Sequence, residues 1–199
     1  NVLTGLTNNW ANGGELKNEG YDAAFNVKVL ALKNWKWQIG ASVGHYKNEI
    51  TELPVVNKKK EIMTDVYGAT ILTKIGEAAN VFYGYETQGV FATTEEAEAA
   101  GLYMLDDNGK TKHFFGAGDV RFVNQNPDDG GLIDENDRVV IGNPNPDFYG
   151  NISSSLTWKH LTLDATFNYS VGNDVYNYMR SQLEGGNRFM NQSIAMVNR

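Results

Sequence analysis

The sequence predicts an all-β chain whose antiparallel strands form part of a transmembrane β-barrel, with a large extracellular loop insertion containing one short helix. Three observations predict it: a composition rich in Gly and Tyr and poor in Pro, two stretches of strict apolar/polar alternation, and the long span of chain between them. Gly, Asn, Thr and Tyr suit strands and tight turns. Charged residues occupy only 21% of the 199 positions, below the roughly one quarter of an ordinary soluble domain. No run approaches the ~18 apolar residues of a membrane helix, but barrel strands alternate and never produce such a run, so mean hydropathy is blind to them.

The first alternating block covers residues 20 to 50, where Tyr21, Ala23, Phe25, Val27, Val29 and Ala31 interleave with Asp22, Asn26 and Lys28. After the turn-like Lys33-Asn34, Trp37, Ile39, Ala41 and Val43 take one face and Gln38, Gly40, Ser42 and Gly44 the other. Period two of this kind is a half-covered strand, and two such runs across a short turn are a hairpin. The Gly and Ser of the second face fill no core and suit a wall facing water or a lumen.

A second hairpin is expected near the far end. Ile152, Ser154, Leu156 and Trp158 lead into Lys159-His160, after which Leu161, Leu163, Ala165, Phe167, Tyr169 and Val171 alternate with Thr162, Asp164, Thr166, Asn168 and Ser170. Each strand carries about ten residues, enough to cross a bilayer at a barrel tilt. Trp35 and Trp37 flank one turn and Trp158 the other, where an indole could sit at headgroup level. The same tryptophans could instead cap the core of a soluble β-sandwich, and alternation alone leaves both readings open.

Three regions follow: 1–53 as barrel strands with a short periplasmic turn, 54–148 as a long extracellular loop region, and 149–199 as a barrel hairpin and the start of the next loop. Outer-membrane barrels keep one set of turns short and let the outward loops grow, which sets this orientation. Within 54–148, strand-like stretches occur at Ile62–Thr64, Ala69–Ile75 and Asn80–Phe91. Thr93-Thr94-Glu95-Glu96-Ala97-Glu98-Ala99-Ala100 reads as a helix with a Thr cap and acidic first turn, ended by Gly101. Asp106-Asp107-Asn108-Gly109 reads as a hairpin turn.

An oxygen-rich segment comes next, from Gly118 to Arg138. Calcium takes six to eight hard oxygen ligands from alternate positions of a loop bent at Gly, and Asn124, Asn126, Asp128, Asp134 and Asp137 are the candidate calcium ligands. The regular loop opens on Asp and places Gly directly after its third ligand, whereas here Asn124 opens and Asp128-Asp129-Gly130-Gly131 is expanded. A metal-free, hydrogen-bonded Asx-rich turn is the other reading.

Other chemistry finds little footing. A net charge of −7, with no basic stripe beyond Lys58-Lys59-Lys60, offers no footprint for nucleic acid, and that run is expected to be a solvated turn. Cysteine is absent, which removes disulfides, thiolate metal sites and a Cys nucleophile. His45, His113 and His160 are isolated, with no His-Glu-x-x-His spacing, no Gly-x-Ser-x-Gly elbow and no P-loop. Nothing places a pair of carboxylates for glycoside hydrolysis, so an enzyme is not expected. The chain opens at Asn1 with no basic and apolar leader behind it, and it is expected to be a piece of something longer.

Several motifs occur in a telling order: Gly118-Asp119-Val120-Arg121-Phe122-Val123, the acidic loop, Ile133-Asp134-Glu135-Asn136-Asp137-Arg138, and Ile141-Gly142-Asn143-Pro144-Asn145-Pro146. Upstream stand Phe82-Tyr83-Gly84-Tyr85, Gln88-Gly89-Val90-Phe91 and the Glu95-Glu96-Ala97 helix; downstream, Phe148-Tyr149-Gly150-Asn151. In this order, over nearly the whole chain, they resemble the SusC/RagA family of TonB-dependent receptors. The resemblance implies a fragment from the C-terminal part of the barrel of a nutrient importer in the cell outer membrane of Bacteroidetes-like bacteria. It also implies a glycan or peptide substrate, a SusD-like surface lipoprotein as partner, contact with outer-membrane lipid, and TonB acting through a plug region outside this chain. In the family the acidic loop is usually Asp-x-Asn-x-Asp-Gly, from which this sequence departs.

The alternative is a soluble cell-surface carbohydrate-binding β module with a structural calcium loop. In it, Tyr83, Tyr85, Phe91, Phe114, Phe115 and Tyr149 would be the ligand contacts, forming a platform for sugar rings. The two readings part on what covers Val27, Ile39, Leu163 and Phe167.

Overall fold

The computed structural model describes residues 13–54, 61–186 and 189–198. The Lys58-Lys59-Lys60 run lies outside the described residues. In chain order the strands are β1 (Glu15–Ala31), β2 (Trp35–Glu52), β3 (Glu61–Val66), β4 (Ala69–Lys74), β5 (Val81–Tyr85), β6 (Thr87–Val90), β7 (Tyr103–Leu105), β8 (Lys112–Phe114), β9 (Val120–Phe122), β10 (Arg138–Gly142), β11 (Phe148–Trp158) and β12 (Leu161–Val171). Helix α1 (Thr94–Ala100) precedes β7, and α2 (Tyr178–Leu183) follows β12.

Both expected hairpins form, and they are neighbours. Strands β1-β2-β11-β12 make one antiparallel sheet in that order. Register aligns side chains into rows across all four strands. Phe25, Ala41, Ile152 and Phe167 form one row of the apolar face, and Leu30, Trp37, Leu156 and Leu163 another. The opposite face carries rows such as Asn26, Gly40, Ser153, Thr166 and Ala24, Ser42, Asn151, Asn168.

One detail departs from the sequence reading. The alternation is expected to run unbroken through Val29 and Ala31, but the register shifts between Lys28 and Leu30. Val29 is the extra residue of this bulge, so Leu30 takes the apolar face opposite Trp37 and Ala31 pairs with Lys36. Trp37 also differs from its neighbours at the turn: its Nε1 donates to Ser154 Oγ at 3.0 Å, which satisfies a hydroxyl on an otherwise apolar face.

The chain clusters into two units. The first takes in the chain to Met63, Thr73–Asn80 and the chain from Asn143 onward; the second is Thr64–Leu72 with Val81–Gly142. The span 54–148 is therefore not one excursion, since Thr73–Asn80 and the Asn143-Pro144-Asn145-Pro146 motif belong with the first unit. Hydrogen bonds explain why. Ile50 N donates to Glu77 O and Gly76 N to Ile50 O, both at 2.9 Å, which extends the end of β2 with a short tight turn. Buried Asn48 then accepts from Ala79 N at 2.8 Å and donates to Asn145 Oδ1 at 2.9 Å. Asn145 Nδ2 donates to Asn143 Oδ1 at 2.8 Å and Ala79 O at 3.3 Å, while Asn143 and Asp174 exchange backbone and side-chain bonds of 2.7 and 2.8 Å.

The buried apolar core belongs almost wholly to the second unit: Leu72, Val81, Phe91, Ala97, Tyr103 and Ile133. The sheet of the first unit has an apolar face and no cover for it among the described residues. Val27 is 50% exposed, Leu163 66% and Phe167 71%, and only Ile39 of the four diagnostic residues is half-buried. A water-soluble sandwich would enclose this face.

Replacing Asn48 with Ala is expected to orphan the Ala79 amide and to leave Asn145 Oδ1 only the Tyr46 hydroxyl at 3.5 Å, at a cost of about 1–3 kcal/mol for the unpaired amide. Hydrogen-exchange mass spectrometry of peptides covering residues 73–80 should show faster exchange in Asn48→Ala; unchanged exchange would show that the asparagine cluster does not hold this turn.

Candidate functional site

In the second unit, β10-β5-β4-β3 form a small antiparallel sheet, with β6 paired to β9 and β7 to β8. Helix α1 has the expected caps. Thr93 Oγ1 accepts from Glu96 N at 3.2 Å, Glu96 Oε2 accepts from Ala92 N at 3.1 Å, and Gly101 closes the helix at φ +64°. Glu96 also pairs with Arg121 at 3.0 Å, and the Arg121 guanidinium lies 5.8 Å from the Phe91 ring centre. Twenty-five residues separate the members of this pair, so no local spacing in the sequence signals it.

The oxygen-rich segment is built as Asx turns. Asn124 Oδ1 accepts from Asn126 N at 2.7 Å, and Asn124 Nδ2 donates to Asp129 Oδ1 at 2.9 Å. Asp129 Oδ1 also accepts from Gly131 N and Leu132 N at 3.1 and 3.2 Å. The backbone reverses through Gly130 and Gly131, at φ +74° and +94°. Asp134 caps the 3-10 turn Glu135–Asp137 by accepting from Asn136 N at 2.7 Å. Buried Asp137 accepts from Gln125 N and Asp134 N, both at 2.8 Å. Asp128 is exposed.

These carboxylates aim at separate backbone amides. Among the described residues no group of three or more acidic or histidine side chains is arranged to hold a metal ion. Of the five candidate calcium ligands, Asn124, Asp134 and Asp137 accept backbone N–H groups, and the central acceptor of the turn is Asp129. Its signal was the Gly130-Gly131 reversal directly after it.

The six aromatic candidates do not form one platform. Phe91 is 1% exposed and is a core residue rather than a ligand contact. Tyr85 and Phe115 both pack against Phe122, at 5.4 and 5.6 Å between ring centres, and burial raises the Tyr85 phenol above its ordinary pKa, opposed by Arg138. Arg138 lies 4.9 Å over the Tyr83 ring. Phe114 is the open one, 66% exposed beside Tyr103 at 5.6 Å. Tyr149 belongs to the first unit, where its ring lies over Gly44 and edge-on to Tyr46 at 5.9 Å.

The histidines take no part in a ligand cluster. His45 Nδ1 donates to Asp147 O at 2.6 Å, and its ring lies between Tyr21 and Phe148 at 5.3 and 5.4 Å. His113 is on β8 and His160 in the β11-β12 turn, both exposed.

Two aromatic rows bound the apolar face of the first unit. Tyr21, His45 and Phe148 mark one end; Trp35 and Trp158, 5.8 Å apart, mark the other. Phe148 and Trp158 begin and end β11, a separation of about 33 Å at a rise of about 3.3 Å per residue. At a strand tilt of about 40° this becomes about 25 Å, the height of the apolar band of an outer-membrane barrel.

No family profile matches the chain. TonB-dependent receptor P3 of Formosa agariphila is 28% identical over 201 residues, covering 98% of this chain and 19% of the receptor. TonB-dependent receptor P26 of the same organism is 28% identical over 175 residues, covering 87% and 17%. A structure of the RagAB peptide transporter superposes over 100% of this chain and 20% of that one, with a TM-score of 0.61 at 23% identity. The RagAB peptide importer in its closed-closed state gives 0.59 over 94% of this chain. The chain thus spans about a fifth of the relatives it matches.

Fold and face pattern define a segment of an antiparallel β-barrel wall with an inserted unit. The chain is similar to TonB-dependent receptors over nearly its whole length.

The β7-β8 turn supplies a pH prediction. Asp106 Oδ1 accepts from Lys110 N at 2.9 Å and Thr111 N at 3.2 Å, and these amides, Lys110 first, lower its carboxyl from 3.8 to about 2. A folded pKa below the unfolded one stabilises the turn above pH 3.8, and that contribution is lost as pH falls through about 2. An NMR titration of the Asp106 carboxyl should place its midpoint near 2; a midpoint at the unperturbed value would show that the turn does not hold it.

Proposed function

We propose that the chain is part of the wall, with one outward-facing insertion, of a SusC/RagA-type TonB-dependent transporter in the cell outer membrane. The whole receptor imports a glycan or peptide nutrient together with a SusD-like surface lipoprotein. It is energised by TonB acting on a plug region encoded outside this chain.

The observation that carries this reading is the apolar face of the β1-β2-β11-β12 sheet. It is exposed at Val27, Leu163 and Phe167, bounded by aromatic rows at the separation a bilayer demands, and backed by a face of hydroxyls, amides and glycine. A hydrocarbon solvent on one side and a wet lumen on the other account for both faces at once. Homology to TonB-dependent receptors supports the same assignment. The turns at Lys33-Asn34 and Lys159-His160 are then periplasmic, and the second unit faces outward.

A charge placed near the middle of β12 tests the reading. In the receptor carrying this segment, folded into vesicles, Phe167→Arg is expected to cost about 2–4 kcal/mol, the depth-dependent cost for a cation at the lipid midplane of a barrel. Asn168→Arg, one residue on and facing the lumen, should cost well under half of that. Urea unfolding curves measure both; equal costs would remove lipid from the apolar side.

A further inference from the structure

The charges of the sheet are unevenly placed. At its open end Glu15, Glu19, Glu49 and Glu52 stand with Lys17 and Lys47, Lys17 pairing with Glu19 at 2.6 Å, and Asp147 lies beside His45. At the turn end, residues 32–37 and 156–163 carry Lys33, Lys36 and Lys159 and no carboxylate, in a chain whose net charge is −7. The cations of the open end are thus matched by glutamates, whereas those of the turn end meet no carboxylate within these residues.

Two of them sit where a lipid headgroup would lie. The two turns are tied together by Lys159 N donating to Asn34 O at 2.8 Å. Lys159 adopts φ +55°, which turns the chain sharply at the tip, and its Nζ lies 5.2 Å over the Trp158 ring. That ammonium is thus held on the apolar side of the sheet, at the level of the Trp35–Trp158 pair. Lys33 is exposed at the neighbouring tip. Lys36 pairs across the sheet with Ala31 and Thr157, on the polar face, and is left out. Around the two lysines, Leu32 and Leu161 are exposed on the apolar side, so a cation here meets acyl chain below and headgroup above, as a snorkelling lysine does.

We propose that this rim is a binding site for anionic phospholipid of the periplasmic leaflet, in which Lys33 and Lys159 engage the headgroup phosphates while Trp35 and Trp158 pack against the glycerol and upper acyl region. The site rests on the barrel reading above. Charge complementarity selects the occupant: a lysine near an anionic bilayer surface favours it by about fivefold, and no acidic side chain in these turns opposes the attraction.

The test uses the receptor carrying this segment, reconstituted in vesicles of phosphatidylcholine or phosphatidylglycerol with brominated acyl chains, which quench tryptophan on contact. The signal read is the part of the fluorescence lost in Trp35→Phe/Trp158→Phe. Competition between the two brominated lipids is expected to favour phosphatidylglycerol by about fivefold or more at these tryptophans, falling to near parity in Lys33→Gln/Lys159→Gln, with inorganic phosphate in the buffer having no effect. Equal quenching by both lipids in the unsubstituted protein, a preference that survives the double substitution, or one abolished by inorganic phosphate would each overturn the headgroup site while leaving the barrel reading intact. Absence of quenching by either lipid would overturn both.

Discussion

The ladder between β2 and β11 is the constraint on which the first unit depends. Each hairpin is amphipathic by itself, but side chains alternate with period two, so only one parity of register lets two hairpins present a common apolar face. Ile152 opposite Ala41 and Leu156 opposite Trp37 is the parity that does so. Glycine secures it. Tyr169 lays its ring over Gly150 and donates its hydroxyl to Ser42 O at 2.9 Å, and a Cβ at Gly150 would collide with that hydroxyl and with the Ser42 carbonyl. On the other face Tyr149 fills the space above Gly44. A one-residue slip would set each tyrosine over a residue bearing a side chain, so the pairing of small and large is itself a register device.

The two units are held by different forces. The second buries its own apolar residues and closes its loops with carboxylates that each accept backbone amides, Asp137 among them in the interior. It obeys the ordinary rule that buried polar groups are hydrogen-bonded. The first buries Ile50 and little else of apolar character, and its order comes from the strand ladders and from the asparagine cluster at the end of β2. The apolar medium proposed above would complete a sheet so constituted.

Much of this was legible in the sequence because it is local. Alternation located both hairpins and their turns at Lys33-Asn34 and Lys159-His160, and the Thr93 cap and Gly101 stop located α1. What escaped is set by contacts distant in sequence. Asn48 and Asn145 lie 97 positions apart, so nothing near either one marks the turn they hold. The bulge at Val29 changes faces without changing composition, since Leu30 is as apolar as the residue it displaces. The strands of the second unit, some only three residues long, carry no readable period, and α2, at six residues, shows only its Asn177 cap. In the candidate site, the richness in Asx residues was legible but the identity of the acceptors was not. Asp129 rather than Asp128 serves the turn because the Gly130-Gly131 reversal returns the amides of Gly131 and Leu132 to it.

Exposure alone does not assign the apolar face to lipid, since any sheet missing a partner layer would expose one. The boundaries of the face discriminate. A face made for another protein layer has no reason to end, on both sides, in aromatic rings at a separation set by bilayer thickness; interface cores gather their aromatics centrally instead. Here the middle rows are aliphatic with Phe25 and Phe167, while the amphipathic rings, Tyr21 and His45 at one limit and Trp35 and Trp158 at the other, stand where hydrocarbon would give way to headgroups. The Trp37–Ser154 hydrogen bond fits the same medium: a hydroxyl facing hydrocarbon needs a partner from the protein, and the one indole set back from the rim supplies it.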